Sequence, residues 1–446
     1  MSNITDNFVE KIYNIRSSKI SPEIISQAKG VFLDYLGVTY AGSQLIREKG
    51  ENYISQFREQ GECTIIGFGR KSSLHNAALI NGFSSHVAEL DDGHRLGMIH
   101  TGSPVLSALF PVAEYYNLNG LDFLLGIIAG YEAAVRLSMA IQPSHKKKGY
   151  HASGTCGTIG AAIGVAIAMN GSKVELKSAL SAAVTSMAGV LEIQENGSEL
   201  KPYNTGRAAF NGLSSALIGR SGFIGPDNIL GGRRGLAVFT GNLNLSDITN
   251  DWDYYAIEKI YQKLYASCRH SHPAIEAALS IKSLNEIGLT NINRIIIHTY
   301  ELAIHGHDHT HIEGENSAKM SIPYSVAVAL YKNKAGIHEF MPEYIRDEKI
   351  LSLAKKIEVY ISDELTQLCP QKRAAIVEFE MNDGNVYSKR VDYPKGEPEN
   401  PLSKTDIENK FYELATFAGK TKKKSEDIVR SVWDIENSIG EIYQLL

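Results

Sequence analysis

Apolar residues recur at helical spacing through the first two-thirds of this chain. In residues 22–40 they fall at Ile24, Ile25, Ala28, Val31, Phe32, Tyr35 and Leu36, roughly one face of a 3.6-residue repeat. Ser21 is a candidate N-cap, Pro22 suits the first helical position, and Glu23 makes the first turn acidic. Similar patterning predicts helices over residues 77–87, 104–117, 121–141, 158–170, 176–188 and 208–220. Several are dense in alanine and glycine. Small side chains let helix axes approach closely, so this part should form a buried, tightly packed helical core.

After about Cys268 the pattern changes. Residues 294–300 and 356–361 are β-branched and alternating, and residues 375–381 and 386–391 should form a hairpin across Asn382, Asp383, Gly384 and Asn385. Helical patterns over 274–286 and 324–331 lie among them, which predicts an α+β region. From Ser403 the chain reads as helix again and is expected to pack back on the first region; the lysines at 420–424 read as a solvated face. No internal repeat or low-complexity linker interrupts the pattern.

At 446 residues the chain exceeds the usual size of one hydrophobic core, so two domains are expected. With 43% hydrophobic and 21% charged residues and a net charge of −5, nothing points to nucleic acid or to a membrane surface. An anionic ligand would therefore have to be met by a few placed cations. Residues 1–16 lack the apolar core of a signal peptide, and apolar stretches such as 157–169 are too short to cross a bilayer, which points to cytoplasmic residence. Cys63, Cys156, Cys268 and Cys369 are widely spaced, against an iron–sulfur cluster or a structural zinc.

Four segments concentrate polar chemistry between apolar helices. The first holds His86, Glu89, Asp91, Asp92, His94, Arg95 and His100; it offers bases and orienting groups, or simply a capped and salt-bridged helix end. In the second, Tyr150 and His151 precede a run of small residues placed just before a helix. That is a cradle for a carboxylate, or an ordinary N-terminus capped by Ser153, Thr155 or Thr158. Lys201 and Arg207 bracket a Pro/Gly turn in the third. The fourth carries Lys263, Cys268 and His270, where a thiol nucleophile has no visible partner. A histidine-rich tract, His305, His307, His309 and His311 with Asp308, looks like metal ligands but reads better as a polar loop at a ligand entrance.

Together the segments NGFSSHVAELDDGHR, HTGSPVLSALFPVAE, GYEAAVRL, YHASGTCGTIGAA, LKPYNTGRAAFNG, GFIGPDNILGG, KLYASCRHSHPAIEA and SIPYSVAVAL resemble the MmgE/PrpD family, in the family's order over about residues 4–330. That family includes 2-methylcitrate dehydratase, cis-aconitate decarboxylase and iminodisuccinate epimerase. The resemblance implies a mainly α fold: a large helical domain of residues 1–266 completed by 400–446, and an α+β lid of 267–399. It also implies a homodimer, an active site between the domains and no metal or organic cofactor. By motif position it assigns catalytic roles to Asp92 (or Glu89), His100, His151, Lys201, Lys263 and Tyr324. Tyr150 is a candidate acid or base in an epimerase. Glu89, Arg95, Lys201, Arg207, Cys268 and His270 are the candidate substrate-binding side chains. This chain also departs from the family. Thr101 stands where many members have proline, and Cys268 where decarboxylases carry a catalytic histidine. The region of Asp92 lacks the Trp/Glu-containing segment of the dehydratases.

The expected activity is a metal-independent lyase that dehydrates or decarboxylates a small di- or tricarboxylic acid. Such chemistry builds negative charge beside a carboxylate, which lysines and histidines can hold while a histidine or tyrosine moves the proton. The nearest alternative is an epimerase at a carboxylate-bearing carbon. From another class, a zinc hydrolase would use the tract at 305–311.

Overall fold

A computed structural model describes residues 3–57, 61–195, 198–239, 244, 248 and 252–446. The chain is mainly helical with a smaller α+β part. It divides into two units, Met1–Glu195 with Leu200–Gln262 and Ser403–Leu446, and Asn196–Glu199 with Lys263–Leu402.

In the first unit the helix Pro22–Leu45 begins as its sequence suggests, with Ser21 accepting from the Ile24 N–H and Pro22 in the first turn. Gly120–Ile141 and Ala152–Ala168 are packed backbone to backbone. A Cβ on Gly160 would lie 2.7 Å from the Gly130 carbonyl oxygen, so glycine is what permits the approach. Every residue of Ala152–Ala168 is buried. Contrary to the sequence expectation, one stretch does have bilayer-crossing length and apolarity: Gly120–Ile141. Its most apolar window is 94% buried within the fold, as a core helix would be. The helix Lys404–Phe417, started by a Ser403–Asp406 capping box, returns to pack on Pro22–Leu45. There the buried Lys410 ammonium bonds Asp34 (2.6 Å) and the Leu90 carbonyl (2.8 Å), tying the C-terminal helices to the acidic loop.

The second unit is built on a four-stranded sheet in the order Ile357–Ile361, Ile292–Thr299, Ala375–Met381, Val386–Val391. The first pair is parallel and the others antiparallel. The last two strands form the expected hairpin, closed by Met381 N–H to the Asn385 carbonyl (2.9 Å), with Gly384 at φ +87° where a left-handed residue is needed. Helices His272–Leu284 and Ile322–Lys332 pack on the sheet.

Two helix starts differ from the sequence reading. The small residues Ser153 to Thr158 lie inside Ala152–Ala168, with His151 at the N-cap, so none of the three hydroxyls caps it. Thr155 bonds buried His145 (3.0 Å) and Thr158 bonds the Gly154 carbonyl. Likewise the helix expected at 208 begins at Tyr203, so Thr205 and Gly206 are helical. In both cases an apolar, fully enclosed environment overrides the weak helix propensity of glycine, serine and threonine.

Candidate active site

Helix Leu74–Val87 delivers His86 near its end, and the chain then turns through Glu89 at φ +55°. A non-glycine residue adopts that conformation at a cost on the order of 1 kcal/mol. The turn is followed by Asp91 and Asp92, and the three carboxylates take three different sets of partners.

Asp91 stands between two imidazoles. Its Oδ2 is 2.7 Å from His86 Nδ1 and 3.4 Å from His100 Nδ1, and it accepts from the Ser103 hydroxyl at 2.9 Å. His100 Nδ1 also faces the Asp92 carbonyl (2.9 Å), and the His100 N–H donates to Ser153 Oγ (3.0 Å). Two oxygens before Nδ1 assign it a hydrogen, leaving the lone pair of a neutral His100 on Nε2. Burial alone would raise the Asp91 carboxyl, but the His100 and His86 imidazoles outweigh it and hold the group well below the carboxylate range. Asp91 is therefore an anion at any neutral pH. Its Oδ1 and His86 Nε2 are buried without a hydrogen-bond partner among the described residues, an arrangement that favours a ligand or water beside them.

Asp92, the acid chosen from the sequence, faces elsewhere. Tyr131 donates to its Oδ2 (2.5 Å) and the Gly102 N–H to its Oδ1 (2.8 Å). Burial, reinforced by Asp91 and Asp34, pushes its carboxyl up to about 7 against those two hydrogen bonds. Glu89 pairs with Lys201 across a short contact, with side chains 9% and 17% exposed. Lys201 is thus a largely enclosed cation with a carboxylate partner.

His151 lies at the head of Ala152–Ala168 and is 7% exposed. The Asn204 amide lies 3.1 Å from its Nδ1 and donates to it, which assigns the hydrogen of the neutral ring to Nε2. Burial, with His86, Lys201 and His100 nearby, holds this imidazole well below its ordinary range, so it is neutral. The His86 ring bridges the group, 4.8 Å from the His100 ring and 6.1 Å from that of His151. Tyr150 is half-buried and stacks on His145 (5.1 Å). The His151 N–H reaches the Gly189 carbonyl (3.0 Å), and Arg207 donates to the Ala188 carbonyl, so Arg207 serves this loop. A Cβ on Gly154 would sit 2.5 Å from that same Ala188 oxygen, so only glycine fits. Arg95 is half-buried in the turn between His94 and Ile99.

The remaining sequence candidates belong to the second unit. Lys263 is 1% exposed and acts electrostatically on Cys268. Tyr324 is fully buried and donates to the Glu339 carbonyl (2.9 Å), with its phenol raised by burial. His270 Nδ1 meets the Tyr300 hydroxyl at 2.5 Å. The histidine-rich tract forms no three-ligand group. His309 is bonded to Ser317 and His307 Nδ1 faces the His305 carbonyl (2.8 Å), while the charge of His307 acts on the Cys268 thiol. Among the described residues the metal-capable grouping is His86, Asp91 and His100, with ligand atoms within 4.8 Å of one another. Those atoms already face each other as a hydrogen-bonded triad.

Sequence reasoning named His86 among the first segment's polar residues without giving it a role, and passed over Ser103, Tyr131, His145 and Asn204. His86 and Asn204 lie within segments already singled out, and Tyr131 is a polar interruption of an apolar helix. Nothing along the chain indicated that Asp91 rather than Asp92 meets the imidazoles.

The chain is 27% identical to a cis-aconitate decarboxylase-like protein, oryM, of Aspergillus oryzae, over all of this chain and 96% of that protein. It is 26% identical to the cis-aconitate decarboxylase of Aspergillus terreus, with the same coverage. With that of Homo sapiens it shares 24%, over 99% of this chain and 93% of the human protein. The MmgE/PrpD N-terminal domain matches residues 6–245 and the MmgE/PrpD C-terminal domain residues 265–435. The chain belongs to the MmgE/PrpD family.

Proposed function

We propose that this protein is a lyase that removes water or carbon dioxide from an aconitate-like polycarboxylic acid, without a metal. The observation that carries this reading is the buried triad in which Asp91 joins His86 and His100 beside neutral His151 and the Lys201–Glu89 pair. The likeness to cis-aconitate decarboxylases along the whole chain supports the substrate class.

In this mechanism His100 moves the proton. Asp91 orients its ring and stabilises the imidazolium, so Nε2 can take or return a proton at the substrate carbon. His151 cannot be the stronger base, because its Nδ1 is engaged by Asn204. Its Nε2–H instead holds a carboxylate oxygen on which charge develops. Lys201 exchanges its contact with Glu89 for a second substrate carboxylate. In decarboxylation the electron pair of the breaking C–C bond passes into the conjugated acid, and imidazolium His100 protonates the resulting carbanion. In dehydration neutral His100 removes a proton beside the carboxylate, the C–O bond breaks, and the departing hydroxide takes the proton of imidazolium His100 to leave as water. For Lys263 and Tyr324 the support is motif position, and the kinetics of Lys263→Met and Tyr324→Phe test it.

The deciding experiment incubates the purified protein with cis-aconitate and with citrate-like hydroxy acids in D₂O, followed by NMR. Release of carbon dioxide or formation of a new alkene is expected. Exchange of an α-hydrogen with no bond cleaved would make the protein an epimerase and overturn the lyase reading.

A further inference from the structure

Asp91 can serve two imidazoles only if its backbone keeps one orientation, and the turn that carries it, Glu89 to Asp92, belongs to no helix or strand. The ends of that turn are held locally. The Glu89 N–H reaches the His86 carbonyl (3.1 Å), and the Asp92 carboxylate accepts from Tyr131 and the Gly102 N–H. Its middle is held from far along the chain. The Leu90 carbonyl accepts from the Lys410 ammonium at 2.8 Å, its donor among the described residues. Lys410 lies on helix Lys404–Phe417 and is 7% exposed, with its Nζ 2.6 Å from Asp34 Oδ1 on helix Pro22–Leu45. The two helices run so close that a Cβ on Gly37 would lie 3.4 Å from the Phe411 Cα.

We propose that Lys410 is a positioning residue of the active site, acting through the Leu90 carbonyl to aim the Asp91 carboxylate at His86 and His100. The inference rests on the lyase reading for what the triad does. The peptide group between Leu90 and Asp91 is planar, so the direction of its carbonyl also sets the direction in which the chain enters Asp91. Anchoring that oxygen to a buried ammonium limits how far the Asp91 backbone can swing, and so keeps its Oδ2 at 2.7 Å from one ring and 3.4 Å from the other. A hydrogen bond from a charged donor suits the task, because it is roughly twice as strong as one between neutral groups. Asp34 has a separate part: it supplies the counter-charge that a buried ammonium requires. Burial raises the Asp34 carboxyl, with Lys410 opposing and Asp91 adding to the rise. The C-terminal helix therefore does more than cover the core, since its one inward lysine holds the backbone beside the reacting groups.

The test uses the full-length protein. Lys410→Met removes the donor and leaves Asp34 buried without its cation, so this variant should also be less stable. Lys410→Met with Asp34→Asn removes both charges and should recover the melting temperature. In both variants kcat/KM on the polycarboxylate that the wild type turns over should fall on the order of 10²-fold, the scale of a displaced reacting group. Lys404→Met takes a lysine from the same helix, one that lies over the Trp433 ring at 4.3 Å, and should leave kcat/KM unchanged. The second readout is the Nδ1–H proton resonances of His86 and His100, followed by NMR in protein carrying isotope-labelled histidine. They should move in both Lys410 variants, as the contacts with Asp91 loosen, and stay in place in Lys404→Met. If Lys410→Met alone does not fold, the double variant carries the test. A lysine that serves stability alone would leave the double variant with wild-type kcat/KM and unmoved resonances, and either result would overturn the proposal. A wild type that turns over no polycarboxylate fails the lyase reading by itself, and the resonances then decide the positioning role on their own.

Discussion

Both units of the molecule gather imidazoles, but they surround them with opposite partners. In the helical unit Asp91 stands between His86 and His100, and a second carboxylate, Glu89, pairs with Lys201. In the α+β unit His270 meets the Tyr300 phenol and packs on the His307 ring, and the charges of His307 and Lys263 act on the Cys268 thiol. The two imidazoles outweigh burial and hold Asp91 well below the carboxylate range. At Cys268 the neighbouring charges outweigh burial and bring the thiol down to about 6. The same ring faces a carboxylate in one place and a phenol in the other.

The largest effect should come from the helical unit. Lys201→Ala removes the cation assigned to a substrate carboxylate, a loss of about 2–5 kcal/mol or a fall in kcat/KM of roughly 30- to several-thousand-fold. Because Lys201 is paired with Glu89, this variant should also be less stable, unlike substitution of an exposed lysine. Glu89→Gln with Lys201→Met should recover the stability and not the turnover. Steady-state kinetics beside thermal unfolding reads both, and a Lys201→Ala enzyme keeping more than about a third of kcat/KM removes the residue from the site.

Next in size, His151→Ala should lower kcat by about 10²-fold, the usual cost of one donor to developing charge. A change confined to KM would mean that His151 binds substrate without serving the transition state. Asp92 gives a pH effect on stability opposite in sign to that of a lowered thiol. Its carboxyl is raised in the folded state to about 7, so its contribution to stability is complete below the ordinary value near 3.8 and disappears as pH rises through 7. Between pH 5 and pH 8 the wild-type protein should lose about 2–3 kcal/mol relative to Asp92→Asn in urea unfolding. Parallel stability profiles would show that Asp92 does not titrate there.

In the α+β unit the effects should be smaller. Tyr300→Phe leaves buried His270 without that hydroxyl and should cost about 1 kcal/mol in unfolding, with turnover kept. A loss of turnover would bring the second cluster into the reaction. Smallest of all is the expected effect of chelation, which should leave turnover unchanged. Activity lost with EDTA and restored by one divalent cation would turn the His86, Asp91 and His100 triad into a metal site and end the contrast.

Much of the fold was legible along the chain. The period of the apolar residues, the Ser21 cap ahead of Pro22 and the turn before Val386 act over a few residues, and each element stands near its expected place. The site was legible as segments, since polar residues grouped between apolar helices are conspicuous. Their pairing was not. Asp91 and Asp92 are neighbours of one type, and the φ of +55° at Glu89 lies between them and the helix they follow. Which carboxylate turns toward the imidazoles depends on that backbone and on Tyr131 and Gly102, which occupy the other.

By itself, then, the sequence determined the helical core, the mixed sheet region, the family and the segments that bear chemistry, because period, capping and motif order are properties of neighbouring residues. Tertiary structure alone decided that Asp91 joins His86 to His100, that Lys201 rests on Glu89 and that His270 meets Tyr300. Those contacts join residues on different elements, and each exists only where burial makes an unpaired polar group costly enough for the fold to supply its partner.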